Sequence, residues 1–512
     1  MTTRAVSDPA LVEIDSGLVR GRREGGLLAW RGIPYAEKPC GPLRLRAPQP
    51  AEPWEGTLEA GAYGRSPMQQ TGGALLAALG PVPRNGTTSE DCLTINVLRQ
   101  EQETDARRPV MVYIFGGANA MGTSATATYS GRDLVANGDV VFVTFNYRVG
   151  VFGFVDFTAF ATETEPIESN LGLRDQVAAL QWVRRNISRF GGDPENVTVF
   201  GESAGAIAVT TLLTLPAAAG LFHSAIAESS APGAIASREQ AAERAARLVE
   251  ALGATRADAA DVLRRTPAGE LMDTATRAFA DDTKRTPGQL VYSSVVDGEF
   301  LPDHPINAFA AGRSHPVPLI IGTNAREGSV FAKTRDNVLP TTPELLDRYF
   351  ELTDPAARDH VAARYPGYPS KKRAVEMSGD LFFWYRSVQV AEGHSQVAPV
   401  WMYRYDHTTP LLRLLGLGAT HSVELAAVFG VSAPGVPRAL TLLGGRRSLA
   451  KVSERVQRTW LRFATANGVA DAWPQYIPET RTTLVIDTND RLENDPNSER
   501  RRAWDIHADV VA

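Results

Sequence analysis

Continuous apolar runs recur along the chain, each bounded by glycine, proline or polar turn residues. Runs without alternating polar positions are typical of strands that are buried on both faces of a parallel sheet. Parallel strands need long crossover connections, and these are usually helices that cover the sheet. The pattern therefore predicts an α/β fold with a large, mostly parallel central sheet flanked by helices. The runs assigned to strands are 110–115, 140–145, 197–200, 224–227, 317–321, 400–405 and 483–486.

Helical spacing appears between these runs. Leu173, Val177, Leu180 and Val183 recur every three or four residues, which predicts a crossover helix over 177–187. A different pattern is found at the start of the chain, where short strand-like runs alternate with turn residues over 13–33. It predicts antiparallel hairpins at the N-terminus.

Two longer segments, 236–290 and 341–395, are charged, rich in alanine and helix-like. The second opens on Thr342-Pro343-Glu344, which resembles a capped helix start with proline at the first helical position. No internal repeat or low-complexity linker divides the sequence. We therefore expect a single domain over 1–512, with these two segments as helical insertions.

The stretch 203–227 contains no Asp, Glu, Lys or Arg and is long enough to span a bilayer. It includes Pro216 and Gly220, however, so a buried helix, a turn and a buried strand explain it better. The N-terminus lacks the apolar core of a secretory signal, and we therefore expect a cytoplasmic protein that does not enter a membrane.

The net charge of −5 and the short, scattered basic runs disfavour a nucleic-acid partner, because phosphate binding needs a clustered basic face. The two cysteines, Cys40 and Cys92, lie far apart and form neither a disulfide framework nor a C-x-x-C pair. We find no metal-ligating set and expect no cofactor. The chemistry should therefore come from side chains, with a small molecule and water as partners.

The strand 197–200 leads directly into Gly201-Glu202-Ser203-Ala204-Gly205. A strand followed by G-x-S-x-G and a small-residue helix describes a nucleophile elbow, in which serine sits on a sharp turn at the sheet edge. A Cβ at either glycine would clash with closely packed backbone. The sequence therefore predicts Ser203 as a nucleophile.

A serine hydroxyl needs a base, and the base needs an acid that orients it. In α/β-hydrolases the chain order is serine, acid, histidine. Glu327, just past the strand 317–321, is the candidate acid, and Asp297 is its competitor. His421, in a loop before an apolar helix, is the candidate base, and His407 is the alternative.

Negative charge on the reacting oxygen needs backbone N–H donors. Ala204 follows the nucleophile and supplies one donor. Gly116-Gly117-Ala118 lies at the end of the strand 110–115, where small residues let the backbone approach a ligand. These segments predict an oxyanion hole.

Several further motifs resemble those of the type-B carboxylesterases, the group that includes bacterial para-nitrobenzyl esterases and cholinesterases. The similarity extends over nearly the whole chain. Besides the elbow, the motifs that carry it are Arg31 to Glu37, Leu43 to Trp54, Ser89 to Val97, Asn146 to Gly150, Asn170 to Gln176, Phe190 to Pro194, Val296-Asp297-Gly298, Glu327-Gly328 and His421 with Glu424.

This resemblance implies an α/β-hydrolase fold with a Ser203, Glu327, His421 triad. It implies oxyanion donors at Gly117, Ala118 and Ala204, with Gly116 as a neighbour, and it implies that Glu202 is an electrostatic or water-holding group beside the triad. The expected function is hydrolysis of small to medium carboxylic esters through an acyl-enzyme. The alternatives are a carbamate or amide hydrolase with the same triad and a non-enzymatic, cholinesterase-like binding protein.

The sequence departs from the family pattern at two positions. The family usually has histidine before the glycine pair, where this chain has Phe115. Secreted relatives pair the cysteine that matches Cys92 with an upstream cysteine, and Met68 stands at that place here. The second departure favours a reducing compartment.

Overall fold

The apolar runs form a mixed sheet whose centre is parallel. The structure is a computed structural model that describes residues 8–70, 88–104, 106–333, 338–432 and 436–507. Its strands are β1 (Leu11–Ile14), β2 (Gly17–Arg20), β3 (Arg22–Arg23), β4 (Leu27–Pro34), β5 (Thr57–Glu59), β6 (Thr94–Gln100), β7 (Arg108–Ile114), β8 (Val141–Phe145), β9 (Gly192–Glu202), β10 (Ser224–Glu228), β11 (Leu319–Asn324), β12 (Val400–Tyr405), β13 (Thr482–Ile486) and β14 (Arg491–Asn494).

Within the described ranges, eleven strands pair in the order β14-β13-β12-β11-β10-β9-β7-β8-β6-β4-β3. Strands β7 to β13 pair parallel with one another, whereas β14, β6, β4 and β3 add antiparallel pairs at the two sides. Each predicted apolar run lies within or overlaps one of the parallel strands. The antiparallel pairs β1–β2 and β3–β4 confirm the predicted N-terminal hairpins.

Helices connect and cover these strands. They are α1 (Arg132–Asn137), α2 (Val151–Phe154), α3 (Leu171–Asn186), α4 (Ala204–Leu212), α5 (Arg238–Ala251), α6 (Ala259–Arg265), α7 (Ala268–Ala278), α8 (Asp282–Arg285), α9 (Pro305–Ala310), α10 (Gly328–Phe331), α11 (Pro343–Thr353), α12 (Ala357–Ala362), α13 (Lys371–Gly379), α14 (Tyr385–His394), α15 (Pro410–Leu414), α16 (Leu425–Val428), α17 (Val436–Leu440), α18 (Arg446–Ala466) and α19 (Ser498–Asp505).

The crossover helix α3 begins six residues earlier than its predicted start at 177. Asn170 precedes it with a left-handed backbone, and its side chain bonds to the backbone of Val295 rather than capping the helix. Helices α5–α8 lie in the segment 236–290, and α11–α14 lie in 341–395. The single domain over 1–512 stays a prediction.

The uncharged stretch 203–227 contains α4 and most of β10, separated by a 3-10 turn at Pro216–Ala218. This agrees with a buried helix, a turn and a buried strand. In the part of the chain that the structure describes, no helix combines the length and the apolar character needed to cross a bilayer.

Both cysteines are free thiols, with Cys40 exposed and Cys92 buried. Met68 and Cys92 line the same small cavity, so the methionine occupies the space beside the buried thiol. Burial raises the pKa of the Cys92 thiol far above its usual range, because a thiolate would lose its hydration there.

The register of the central strands brings the predicted site together. Gly201 of β9 lies opposite Ile114 of β7 and Ala227 of β10, and Ala227 lies opposite Ile321 of β11. All four residues are at or near the carboxyl ends of parallel strands, where ligands bind in open α/β sheets. The segments that follow these strands therefore meet at one edge.

Candidate active site

Ser203 lies on a strained turn between β9 and α4. Its φ of 58° and ψ of −124° are unusual for a residue with a side chain. Closely packed backbone enforces the turn: a Cβ on Gly205 would lie 2.0 Å from the Ile114 carbonyl oxygen, and one on Gly201 would lie 2.6 Å from the backbone of Gly205. Both glycines of the motif are therefore required sterically, as the sequence predicted.

His421 faces the serine. Its Nε2 atom lies 2.8 Å from Ser203 Oγ, and its Nδ1 atom lies 2.6 Å from Glu327 Oε2. Serine, imidazole and carboxylate therefore form one continuous hydrogen-bonded chain, with the acid on the ring nitrogen that faces away from the serine. This geometry lets the imidazole accept the serine proton while the carboxylate fixes its orientation.

Two residues that sequence reasoning missed hold the Glu327 carboxylate. Its Oε1 atom accepts hydrogen bonds from the Asn324 backbone N–H at 2.6 Å and from Ser229 Oγ at 2.7 Å. Ser229 comes directly after β10, and Asn324 is the last residue of β11. Their place at the carboxyl ends of predicted strands was the signal that could have identified them.

A second carboxylate, Glu424, contacts the same two residues from the other side. Its oxygens lie 2.9 Å from Ser229 Oγ and 2.5 Å from Asn324 Nδ2. Burial and the neighbouring charges of Glu202 and Glu327 raise the pKa of Glu424 to about 8. The Ser229 hydroxyl therefore lies within hydrogen-bond distance of both carboxylates, and its single hydrogen can be donated to only one of them at a time.

Glu202 is buried on the serine side of the imidazole. Its Oε1 atom lies 3.3 Å from His421 Nε2 and accepts a hydrogen bond from Ser422 Oγ. Burial raises the pKa of Glu202. Burial would lower the pKa of His421, but the charges of Glu202 and Glu327 outweigh it and raise that pKa to about 9.

The ring of His421 is enclosed by two aromatic side chains. The ring centroids of Phe331 and Phe383 lie 5.1 and 4.7 Å from the imidazole centroid. The same phenylalanines line a cavity of about 30 Å³ beside Ser203, together with Leu290, Leu339 and Phe382. A substrate would therefore meet Ser203 in apolar surroundings.

The three residues predicted to supply oxyanion donors, Gly117, Ala118 and Ala204, all line the cavity beside Ser203. Ala204 is the first residue of α4, where a helix leaves its N–H groups without internal partners. Among the described residues, the N–H groups of Gly117 and Ala118 donate no hydrogen bond, and both residues line the cavity. Gly117 has a φ of 130°, and a Cβ there would lie 2.2 Å from the Met121 carbonyl oxygen. Gly116 packs behind them, against the Glu202 carbonyl.

Packing around Phe115 holds this loop without the family's histidine. The Phe115 ring stacks on Tyr147 with centroids 4.3 Å apart, and the Tyr147 hydroxyl donates to the Phe115 carbonyl at 2.6 Å. The Gln69 side chain forms two hydrogen bonds with the Gly122 backbone. A stacked ring pair and a buried amide therefore fix the position of Gly116 to Ala118.

The competing candidates have other partners. Asp297 accepts hydrogen bonds from Ser169, Asn170 and the backbone of Glu299 and Leu301, so it anchors a turn. His407 lies past the end of β12, with Nδ1 3.6 Å from Asp487. The structure brings Glu327 and His421, rather than these two residues, to Ser203.

The parallel sheet, the strand-to-helix turn at Ser203 and the hydrogen-bonded Ser203, His421 and Glu327 define the architecture of an α/β-hydrolase. A sequence model of the Carboxylesterase family matches residues 8–504. The chain therefore belongs to the carboxylesterase family, and it is a serine carboxylesterase. The predicted family, fold class and enzyme class are confirmed.

Individual relatives are similar over almost their full length. The chain is 40% identical over 500 residues to the para-nitrobenzyl esterase of Bacillus subtilis (strain 168), covering 96% of this chain and 98% of the relative. It is 33% identical to the fumonisin B1 esterase of Sphingopyxis macrogoltabida, covering 92% and 85%. A solved PNB esterase structure superimposes with a TM-score of 0.86 at 37% identity, covering 97% of this chain and 99% of that one.

Proposed function

We propose that this carboxylesterase cleaves small to medium esters through an acyl-enzyme on Ser203. Ser203 Oγ attacks the ester carbonyl carbon and its proton passes to His421 Nε2. The C–O bond to the alcohol breaks, and the alcohol leaves with that proton. Water then attacks the acyl group and gives a proton to His421, and the imidazole returns a proton to the serine as the acid is released.

The observation that carries the proposal is the hydrogen-bonded chain from Ser203 Oγ through His421 to Glu327, with distances of 2.8 and 2.6 Å. Glu327 stabilises the imidazolium that forms during attack. The N–H groups of Gly117, Ala118 and Ala204 bind the oxyanion, and each such donor is worth roughly 3 kcal/mol in the transition state. Glu202 adds a buried carboxylate beside the imidazole and supports the same charge.

The apolar lining of the cavity supports an uncharged ester group next to Ser203. A relative is named a para-nitrobenzyl esterase, and we propose 4-nitrobenzyl and 4-nitrophenyl esters of short acids as first substrates. The test compares wild-type protein with Ser203→Ala on 4-nitrophenyl butyrate. We expect turnover to fall by a factor of about 10⁵ or more, and wild-type turnover by the variant would refute the proposal.

Hydrolysis of carbamates and amides needs the same triad as ester hydrolysis. Matched substrates distinguish these three activities. The test compares three substrates that carry the same aryl group: a butyrate ester, a carbamate and a butyric anilide. All three are used at equal concentration. We expect the ester to be cleaved fastest, because aryl oxide is a better leaving group than the aryl amide of the anilide, and because nitrogen donation makes a carbamate carbonyl less electrophilic than an ester carbonyl. Faster cleavage of the anilide or the carbamate would show that the enzyme prefers that bond, and the proposed activity would be replaced accordingly.

We also propose that the protein works in the cytoplasm. Cys92 is a free thiol beside Met68, which supports a compartment where disulfides do not form. Fractionation of the source cells with an antibody against the chain tests this, and recovery outside the cytoplasmic fraction would contradict it.

A further inference from the structure

A second and much larger cavity lies next to the catalytic pocket. Its volume is about 480 Å³, against about 30 Å³ beside Ser203. Much of its wall is apolar, including Ile235, Val296 and Leu381, but Arg386 also lines it. The proposed catalytic steps do not use this cavity, although its size suits a ligand of many atoms.

One helical run connects the two cavities. Phe382 lines both of them, and its neighbour Phe383 packs on the His421 ring. Phe382 lies in a π-helical turn, Asp380–Trp384, that leads directly into α14, and Arg386 follows it by four residues in that helix. Phe382 is therefore a wall shared by the two cavities, and a chain that reached past it from an ester bound at Ser203 would come to the side of the wall that Arg386 lines.

The charge of Arg386 lacks a counterion in the part of the chain that the structure describes. The residue is 5% exposed, and its Nη1 atom donates to Gln389 Oε1 at 2.8 Å. Among the described residues no carboxylate oxygen lies within ion-pair distance of it. A buried charge is costly unless it is paired, so an anion in this cavity would gain an unusually strong partner.

Other charged groups of the cavity wall are already engaged. Asp303 forms an ion pair with Arg313, and Glu239 is exposed and accepts a hydrogen bond from Ser237. Arg238 is exposed and donates to the Asp297 carbonyl. Burial and the Arg386 charge lower the pKa of His304, which also lines the cavity, to about 4, so this imidazole is neutral at pH 7. Within the described wall, the buried charge of Arg386 is left without a charged partner.

We propose that the Arg386 cavity is a subsite for the free carboxylate of half-esters of dicarboxylic acids, whose ester bond lies at Ser203. The planar guanidinium matches a carboxylate in two parallel hydrogen bonds. A carboxylate carries one negative charge and balances one guanidinium, whereas a phosphonate dianion leaves an excess charge buried. The apolar wall suits the methylene chain between the two ends. This inference rests on the proposed function of Ser203.

The experiment measures kcat/KM for 4-nitrophenyl half-esters from adipate to sebacate. Each is compared with its neutral partner, in which the free carboxylate is capped as a methyl ester, and release of 4-nitrophenol reports the same bond in both. For wild-type protein we expect the ratio of half-ester to neutral ester to peak at one chain length. In Arg386→Gln that ratio falls 10- to 100-fold at the peak, and Arg386→Lys retains part of it.

Arg348→Gln is the matched control, because Arg348 is an exposed arginine of α11 that pairs with Glu351 outside the cavity. We expect the control to keep the wild-type ratio at every length. A half-ester with a terminal phosphonate should have a lower ratio than the carboxylate of equal length. A higher ratio for the phosphonate would overturn the carboxylate assignment.

Inhibition of the wild-type protein gives an independent measurement if Arg386→Gln folds poorly. Free dicarboxylic acids should inhibit hydrolysis of a neutral ester at least tenfold more strongly than monocarboxylic acids of equal length. Equal inhibition constants, or a flat ratio across the half-ester series, would overturn the subsite. Loss of neutral-ester turnover in Ser203→Ala would still support the proposed function, so the two failures are distinguishable.

Discussion

The turn at Ser203 and the carboxylate cluster behind His421 are positioned by different physical means. At the turn, backbone atoms pack so closely that Gly201 and Gly205 cannot carry a Cβ. In the cluster, side-chain hydrogen bonds and buried charges fix Glu327, Glu202 and Glu424. Steric constraints of the first kind determine whether the site forms at all. Electrostatic constraints of the second kind determine at which pH the formed site works.

We expect the largest effect on activity from removing the Glu327 charge in the carboxylate cluster. In Glu327→Gln the amide can no longer accept the Nδ1–H bond as an anion, so the imidazole loses its orienting charge. We expect kcat to fall by a factor of about 10⁴, measured on 4-nitrophenyl butyrate, with the unfolding temperature nearly unchanged. A loss below tenfold would show that the acid is another residue, and Asp297→Asn would then be the variant to measure.

The turn predicts the largest effect on folding. In Gly205→Ala the new methyl group would meet the Ile114 carbonyl oxygen at 2.0 Å, and backbone must move. We expect the free energy of unfolding to fall by about 3 kcal/mol or more, measured by urea denaturation.

Gly269→Ala is the control for this substitution. Gly269 lies in α7, and no heavy atom of the described residues beyond its own helical turn lies within 4 Å of the place that the new methyl group would take. We expect that variant to gain up to about 1 kcal/mol, since alanine is a better helix former. Equal effects at the two glycines would contradict steric control of the turn.

Removing the Glu202 charge tests whether buried charges determine the pH at which the site works. The imidazole must be neutral before it can accept the serine proton, and the pKa of His421 is raised to about 9. Activity should therefore rise with pH toward that value. In Glu202→Gln one of the charges that raise this pKa is lost, so the midpoint of the rise moves to lower pH.

At pH 6, Glu202→Gln should therefore keep about three- to tenfold more of its own maximal kcat/KM than wild type keeps. Glu163→Gln, at an exposed position, is the control and should reproduce the wild-type profile. A midpoint that moves to higher pH would contradict the claim that the Glu202 charge raises the pKa of His421.

Much of the steric constraint at the Ser203 turn could be predicted from the sequence, because G-x-S-x-G and the apolar run before it are local patterns. The strands and the hairpins followed from patterns of the same kind. Glu327 and His421 were chosen instead from the chain order typical of α/β-hydrolases, with Asp297 and His407 left as alternatives. Ser229 and Asn324 were not identified, since their role depends on which strand ends become neighbours. The unpaired charge of Arg386 was equally hidden, because it arises from how the helices of 341–395 pack against the segment 233–240.

Phe115 stands where the family usually has histidine, and the packing around it shows how the oxyanion loop is held. Stacking on Tyr147 and the hydrogen bond from its hydroxyl replace the missing histidine. In Tyr147→Phe the stacking stays, but the buried Phe115 carbonyl loses its partner, at a cost of about 1–3 kcal/mol. We expect the smallest effect of the series here, a several-fold loss of kcat with KM nearly constant. Unchanged kcat would show that the hydroxyl does not support the oxyanion loop.

Covalent trapping tests the central claim, that Ser203 is the acylated residue, most directly. The protein is incubated with a 4-nitrophenyl dialkyl phosphate, and peptides are analysed by mass spectrometry as residual activity falls. The account predicts one phosphoryl group per inactivated molecule, on the peptide that contains Ser203, and no labelling of Ser203→Ala. Complete inactivation with the label on another residue, or with Ser203 unmodified, would contradict it.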